Sequence, residues 1–190
     1  MRTAALLVLA LAAPAAAFAE DKVTDKAFVS GGKLDIHLEA GDYEVRASKD
    51  NHVRVTLSGD MGNTVADVAI NGTHADVAVR KTPNHSNHFH VVIEVPKISD
   101  VAIRLTAGDL DVDEIRGSKD IETRAGDVKI AVGSPDDYAS VDASVSIGDI
   151  STGPFGSGLK NGLLSHGVKW TGKGKYTLRV HLMVGDLTLQ

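Results

Sequence analysis

Apolar and polar residues alternate over most of the chain, as in Val53-Val55-Leu57, Val91-Ile93-Val95 and Val101-Ile103-Leu105. Successive side chains of a strand face opposite sides, so a period of two marks half-buried strands, and β-branched residues strengthen the signal. No stretch holds the 3.6-residue period of an amphipathic helix over three turns. The pattern predicts an all-β protein.

The alternation is interrupted at a recurring dipeptide. Gly-Asp occurs at Gly41-Asp42, Gly59-Asp60, Gly108-Asp109, Gly126-Asp127, Gly148-Asp149 and Gly185-Asp186. Around all but Gly59-Asp60, positions −3, −1, +2 and +4 from the glycine are apolar, with Thr123 and Thr152 as the exceptions. An uninterrupted strand would carry its face from −1 to +1. The jump to +2 means that one residue has been added, and the backbone must bend or bulge there for both flanks to face one core. Glycine reaches the necessary backbone angles cheaply, and the aspartate can accept a backbone N–H in an Asx-type turn. Gly41, Asp42, Gly108, Asp109, Gly126, Asp127, Gly148, Asp149, Gly185 and Asp186 are therefore expected to be structural corners. Gly59-Asp60 lacks the pattern and reads as an ordinary hairpin turn.

Units of about 20 residues suit the coils of a β-solenoid, in which each coil covers its neighbour's apolar edge. The expected fold is a β-solenoid or β-helix-like repeat with Gly-Asp corners, most regular over 101–190, with longer runs and a more sandwich-like character in the N-terminal half. One domain over 20–190 accounts for both. The chain ends inside a repeat, at Val184 to Gln190, with no polar cap. Such an end needs covering; pairing with earlier strands, for example near Phe28 to Leu38, is preferred to pairing with a second molecule, hence a monomer to a homodimer.

The first residues change the cellular picture. Met1-Arg2, the apolar run Ala4 to Ala13 and Ala17-Phe18-Ala19 form the charged, hydrophobic and cleavage regions of a secretory signal. Residues 1–19 are expected to be removed, leaving an exported chain, periplasmic or at the cell surface. No later run is long enough to cross a bilayer as a helix, and aromatic residues are too few for the girdles of an outer-membrane barrel. Cysteine is absent, so packing and backbone pairing must supply the stability. A formal net charge of −5 with scattered Lys and Arg argues against nucleic acid as a partner.

The segments TAGDLDV, RAGDVKI, SIGDI and VGDLTL, with Val95-Pro96, Tyr138-Ala139-Ser140-Val141 and Pro154-Phe155-Gly156, resemble the bacterial putative-adhesin family of unknown function. The resemblance implies an exported cell-envelope β-repeat protein, adhesin-like and without a defined ligand. It brings no catalytic residues.

The remaining chemistry is sparse. His85, His88 and His90 fall within one short segment and could hold Zn²⁺ or Cu²⁺; without a carboxylate or fourth ligand at tight spacing, a solvated loop entering a strand is the preferred reading. Asp111/Asp113 and Asp136/Asp137 could be offered as glycosidase carboxylates, yet the first pair alternates with Leu110 and Val112 on a solvent face and the second follows Ser134-Pro135 in a turn. Trp170 with Tyr176 could form a sugar platform on neighbouring strands, or cap and rim the core. No G-x-S-x-G elbow or phosphate loop is present. The expectation is a non-catalytic binding or scaffold module, without cofactor, for an envelope protein or glycan; the alternatives are a small periplasmic glycan-acting enzyme and a metal-binding protein.

Overall fold

A computed structural model describes residues 21–59, 63–81, 89–156, 159–160 and 166–190. The expected signal segment, Asp60, His85 and His88 lie outside these residues. The described chain is nearly all strand, in two sheets, with no α-helix. No helix among the described residues is long and apolar enough to cross a membrane.

The eight-stranded sheet runs β1 (Lys22–Ala27), β4 (His52–Gly59), β7 (Phe89–Pro96), β3 (Asp42–Ser48), β9 (Leu110–Val112), β11 (Val128–Ile130), β17 (Leu187–Leu189) and β13 (Ile150–Ser151). The nine-stranded sheet runs β14 (Leu159–Lys160), β15 (His166–Thr171), β12 (Tyr138–Ile147), β16 (Tyr176–Val184), β10 (Lys119–Ala125), β8 (Ser99–Ala107), β2 (Gly32–Leu38), β6 (His74–Arg80) and β5 (Val65–Asn71). One continuous apolar cluster takes side chains from both sheets. The alternation explains it residue by residue: Val101, Ile103 and Leu105 are buried while Ala102, Arg104 and Thr106 face outward. Burying each such Val, Leu or Ile contributes roughly 1.5–3 kcal/mol.

The Gly-Asp dipeptides sit where the chain passes from the nine-stranded to the eight-stranded sheet, between β2 and β3, β8 and β9, β10 and β11, β12 and β13, and β16 and β17. The five stack in the order Gly41, Gly108, Gly126, Gly185, Gly148. Gly41 N–H donates to Ala107 O at 3.0 Å, Gly108 to Ala125 O at 2.9 Å, Gly126 to Val184 O at 3.0 Å and Gly185 to Ile147 O at 2.9 Å. Gly108, Gly126, Gly148 and Gly185 have φ between +112° and +134°, and a Cβ at any of them would lie 1.9–2.0 Å from the carbonyl oxygen of the neighbouring corner glycine. Gly41 begins the stack, has no corner before it, and does not take a positive φ. Glycine is required where the next backbone presses on Cα.

The aspartates work between corners. Asp127 N–H donates to Asp109 Oδ1 at 3.3 Å, Asp186 N–H to Asp127 Oδ1 at 3.0 Å and Asp149 N–H to Asp186 Oδ1 at 2.9 Å. Asp109, Asp127 and Asp186 thus accept from the neighbouring unit of the stack and not within an Asx turn.

Several expectations are corrected. A solenoid stacks its coils in chain order, whereas here the last unit, β16–β17, lies between the β10–β11 and β12–β13 units. The final strand is accordingly covered by β11 and β13, not by the segment Phe28 to Leu38. Positions +2 and +4 are buried at most corners and −3 at all five, but −1 is not: Ile147 is 52% and Val184 45% exposed. By −1 the strand has run past the edge of the core. Gly59 ends β4, and the next strand, β5, belongs to the other sheet, so no hairpin forms there. The N-terminal part pairs β1, β4 and β7 antiparallel, and β5 with β6 likewise.

Candidate functional site

The outer face of the nine-stranded sheet gathers the most varied chemistry. Parallel register across β6, β2, β8, β10 and β16 aligns Ala78, His37, Arg104, Glu122 and His181 in one row. Each occupies an outward phase of its strand, opposite buried neighbours such as Ile36, Ile103 and Ile121. The next row toward the strand starts holds Asp76, Asp35, Ala102, Asp120 and Arg179.

Arg104 is the centre of this face. Its guanidinium lies 3.4 Å from Asp120 Oδ1 and 3.2 Å from Glu122 Oε2, and donates to Asp120 O at 3.0 Å. Arg179 reaches the other oxygen of Asp120 at 3.6 Å. Small residues among long ones make hollows on either side. One, about 610 Å³, spans Ala78, Thr106, Arg80, Arg124 and Met183; the other, about 310 Å³, lies over Ala102 between Lys33, Asp100 and Arg179. Arg104 lines both. Guanidinium groups held in place by carboxylates offer oriented donors to the oxygens of a ligand.

The opposite sheet carries an acidic hollow of about 370 Å³ lined by Asp42, Glu44, Asp109, Asp111, Asp113 and Asp127 with His90 and Lys129. His90, the one described member of the histidine segment, has its Nε2 3.6 Å from Glu44 Oε2. Asp111 and Asp113 are exposed, as their alternation implies, and Asp136 and Asp137 sit in a one-turn 3₁₀ segment at Pro135–Asp137.

Trp170 and Tyr176 are not on neighbouring strands, because β12 lies between β15 and β16. Tyr176 is buried and Trp170 half-buried, and they are the ends of an aromatic series: Tyr176 to Tyr138 at 6.4 Å, Tyr138 to Phe155 at 5.8 Å and Phe155 to Trp170 at 5.2 Å between ring centroids. A sugar platform would need a free ring face. Tyr176, being buried, offers none, so the two residues form no paired platform.

Two features escaped the sequence reading. Lys119 is buried in the row Ala75, Leu34, Val101, Lys119, Leu178, Val141, where every other member is apolar. Its Nζ donates to Ile115 O at 2.6 Å and to Tyr138 Oη at 2.9 Å, and the Tyr138 hydroxyl donates to Val132 O at 3.1 Å. Desolvation lowers its pKa to about 8. Its phase with Ile121 and Thr123 was the available signal. The second is Asp35, His74 and Asp76, brought together by the pairing of β2 with β6.

No family model matches this chain, and no curated protein matches it. Among solved structures, a putative cell adhesion protein from Clostridium sporogenes is similar over 90% of this chain and 99% of its own, with 11% identity and a TM-score of 0.56. The two share a fold. A putative adhesin from Bacteroides fragilis matches over 90% of this chain and 97% of its own at 15% identity and a TM-score of 0.39. One from Parabacteroides merdae matches over 90% and 96% at 9% and 0.31.

Proposed function

We propose that this protein is an exported, non-catalytic binding module of the cell envelope, adhesin-like, which presents the outer face of the nine-stranded sheet to an envelope protein or glycan. The observation that carries the reading is the pair of hollows flanking Arg104, whose guanidinium is oriented by Asp120 and Glu122. The Gly-Asp corners act structurally, as the spine of a coil-like stack into which the last unit is inserted. Export rests on the pattern of Met1 to Ala19. A monomer is supported by the final strand, whose two edges are both occupied within the chain.

A general acid at neutral pH needs a raised pKa. Asp25, Asp50 and Glu94 are held low, chiefly by hydrogen bonds from His52, Ser48 and Arg54 respectively, and so are not suited to that role.

The test uses labelled protein and isolated envelope material. Arg104→Ala and Arg124→Ala are expected to weaken binding at least about tenfold, the loss of one charge-assisted contact, while Lys129→Ala on the opposite sheet leaves it unchanged. Equal loss from all three would move the binding surface elsewhere. Turnover of envelope glycan by the purified protein would replace the binding reading with an enzymatic one.

A further inference from the structure

We infer that Asp35, His74 and Asp76 form a binding site for a divalent transition-metal ion of the Zn²⁺ class. The inference concerns the outer face of the nine-stranded sheet and does not depend on the Arg104 hollows binding anything.

Parallel pairing of β2 with β6 sets Asp35 directly opposite Asp76, and Lys33 directly opposite His74. Two carboxylates facing each other across a strand pair repel, and the arrangement calls for positive charge between them. His74 lies two residues before Asp76 on the same face of β6, and its Nε2 is 3.2 Å from Asp35 Oδ2 and 3.4 Å from Asp76 Oδ1. One donor atom from each residue lies within 4.8 Å of the others. In a tetrahedral site with metal–ligand bonds of about 2.0–2.2 Å, donors stand about 3.3–3.6 Å apart. The two histidine edges already have nearly that spacing.

The environment supports the same assignment. Lys33 Nζ engages Asp35 Oδ1 at 3.4 Å, which leaves Oδ2 directed to the imidazole. Both strands are paired on both sides, β2 with β6 and β8, and β6 with β2 and β5, so the donors are carried by fixed backbone. Side-chain exposures of 38% for His74, 27% for Asp35 and 57% for Asp76 leave room for water to complete the coordination. An imidazole between two carboxylates suits zinc and its neighbours better than Ca²⁺ or Mg²⁺, which take oxygen ligands. Among the described residues, this is the group of three such donors close enough to share one ion.

The probe is Zn²⁺ alone, titrated into the purified chain by calorimetry. One-to-one binding is expected, weakened at least about tenfold by His74→Ala and by Asp76→Asn through loss of a direct ligand, and retained when His85, His88 and His90 are all replaced by Ala. Because either ligand variant could disturb the sheet, the parent is also followed by NMR, where Zn²⁺ is expected to move the imidazole resonances of His74 before those of His37 and His181. The inference is overturned by absence of one-to-one binding in the parent, by affinity that survives both ligand substitutions, by loss of binding in the triple-histidine variant alone, or by earlier movement of His37 or His181.

Discussion

The two halves of the molecule use the same alternation of apolar and polar residues but are tied together differently. Over 101–190, parallel neighbours meet at the Gly-Asp corners, where glycine N–H groups and aspartate side chains bind the backbone of the next unit. Over 22–96, the antiparallel strands β1, β4 and β7 are cross-linked by side chains on their outer face. Arg54 reaches Asp25 at 3.0 Å and Glu94 at 2.9 Å, His52 reaches Asp25 at 2.7 Å, and Arg46 on the parallel neighbour β3 reaches Glu94 at 3.1 Å. Backbone ladders respond to substitution at a few crowded positions, whereas ion pairs on a half-exposed sheet face respond to pH and salt. The difference teaches that a repeated dipeptide marks where backbones touch, not merely where chains turn.

The largest expected effect separates crowding from conformation. Gly126 (φ +124°) would place a Cβ 2.0 Å from Gly108 O, while Gly72 (φ +59°), in the β5–β6 turn, would meet nothing within 4 Å. Gly126→Ala is expected to cost about 4 kcal/mol, combining backbone strain with overpacking against a neighbour that cannot yield. Gly72→Ala should cost only the left-handed penalty, about 1 kcal/mol. Urea midpoints measure both; similar losses would mean that the corners are ordinary turns.

Much of this contrast was legible in the sequence, and the illegible part has definite causes. Alternation placed Leu38, Leu105, Val145 and Leu182 inward, and they are buried. It also placed Ile147 and Val184 inward, because a period of two carries no information about where the core ends. Stacking order was hidden because the corners are nearly interchangeable, so nothing local places Gly185 between Gly126 and Gly148. The Asp35–His74–Asp76 group depends on a register between strands joined through the other sheet. Lys119 was readable from its phase with Ile121, but its charge argued against the inward position that the phase required.

The second effect is in pH, and its sign differs between the halves. Lys119 has an unfolded value of 10.5 and a folded value near 8. Between these values the unfolded chain still holds a proton that the folded chain has released, so stability rises with pH. The full span corresponds to roughly 3 kcal/mol. Tyr138, raised to about 12 by burial, works oppositely above pH 10, so the clean window is pH 8 to 10. Lys119→Met should abolish the rise. On the acid side, Glu94 is depressed chiefly by its hydrogen bond from Arg54, so its contribution is present above the ordinary carboxylate range and is lost as pH falls through its folded value. Arg54→Met should flatten that limb and leave the alkaline one intact. Thermal melts across pH check both, and an alkaline rise that survives Lys119→Met would assign it to another group.

The smallest effect tests whether aspartate side chains add anything to a backbone ladder that already joins the corners. Asp127 Oδ1 accepts the Asp186 N–H at 3.0 Å, in the middle of the stack. Among the described residues, the Asp42 side chain accepts no corner N–H, because the Asp109 N–H has no bond to it. The bond from Asp186 is exposed, and water can replace part of it, so Asp127→Ala should cost about 1 kcal/mol. Asp42→Ala should fall within about 0.5 kcal/mol of the parent. Asp127→Asn keeps an acceptor oxygen while removing the charge from the acidic hollow, and should recover most of the loss. If Asn recovers nothing, the charge and not the hydrogen bond matters at the corner; if Asp42→Ala costs as much as Asp127→Ala, the side-chain ladder contributes nothing specific and the aspartates serve the turn alone.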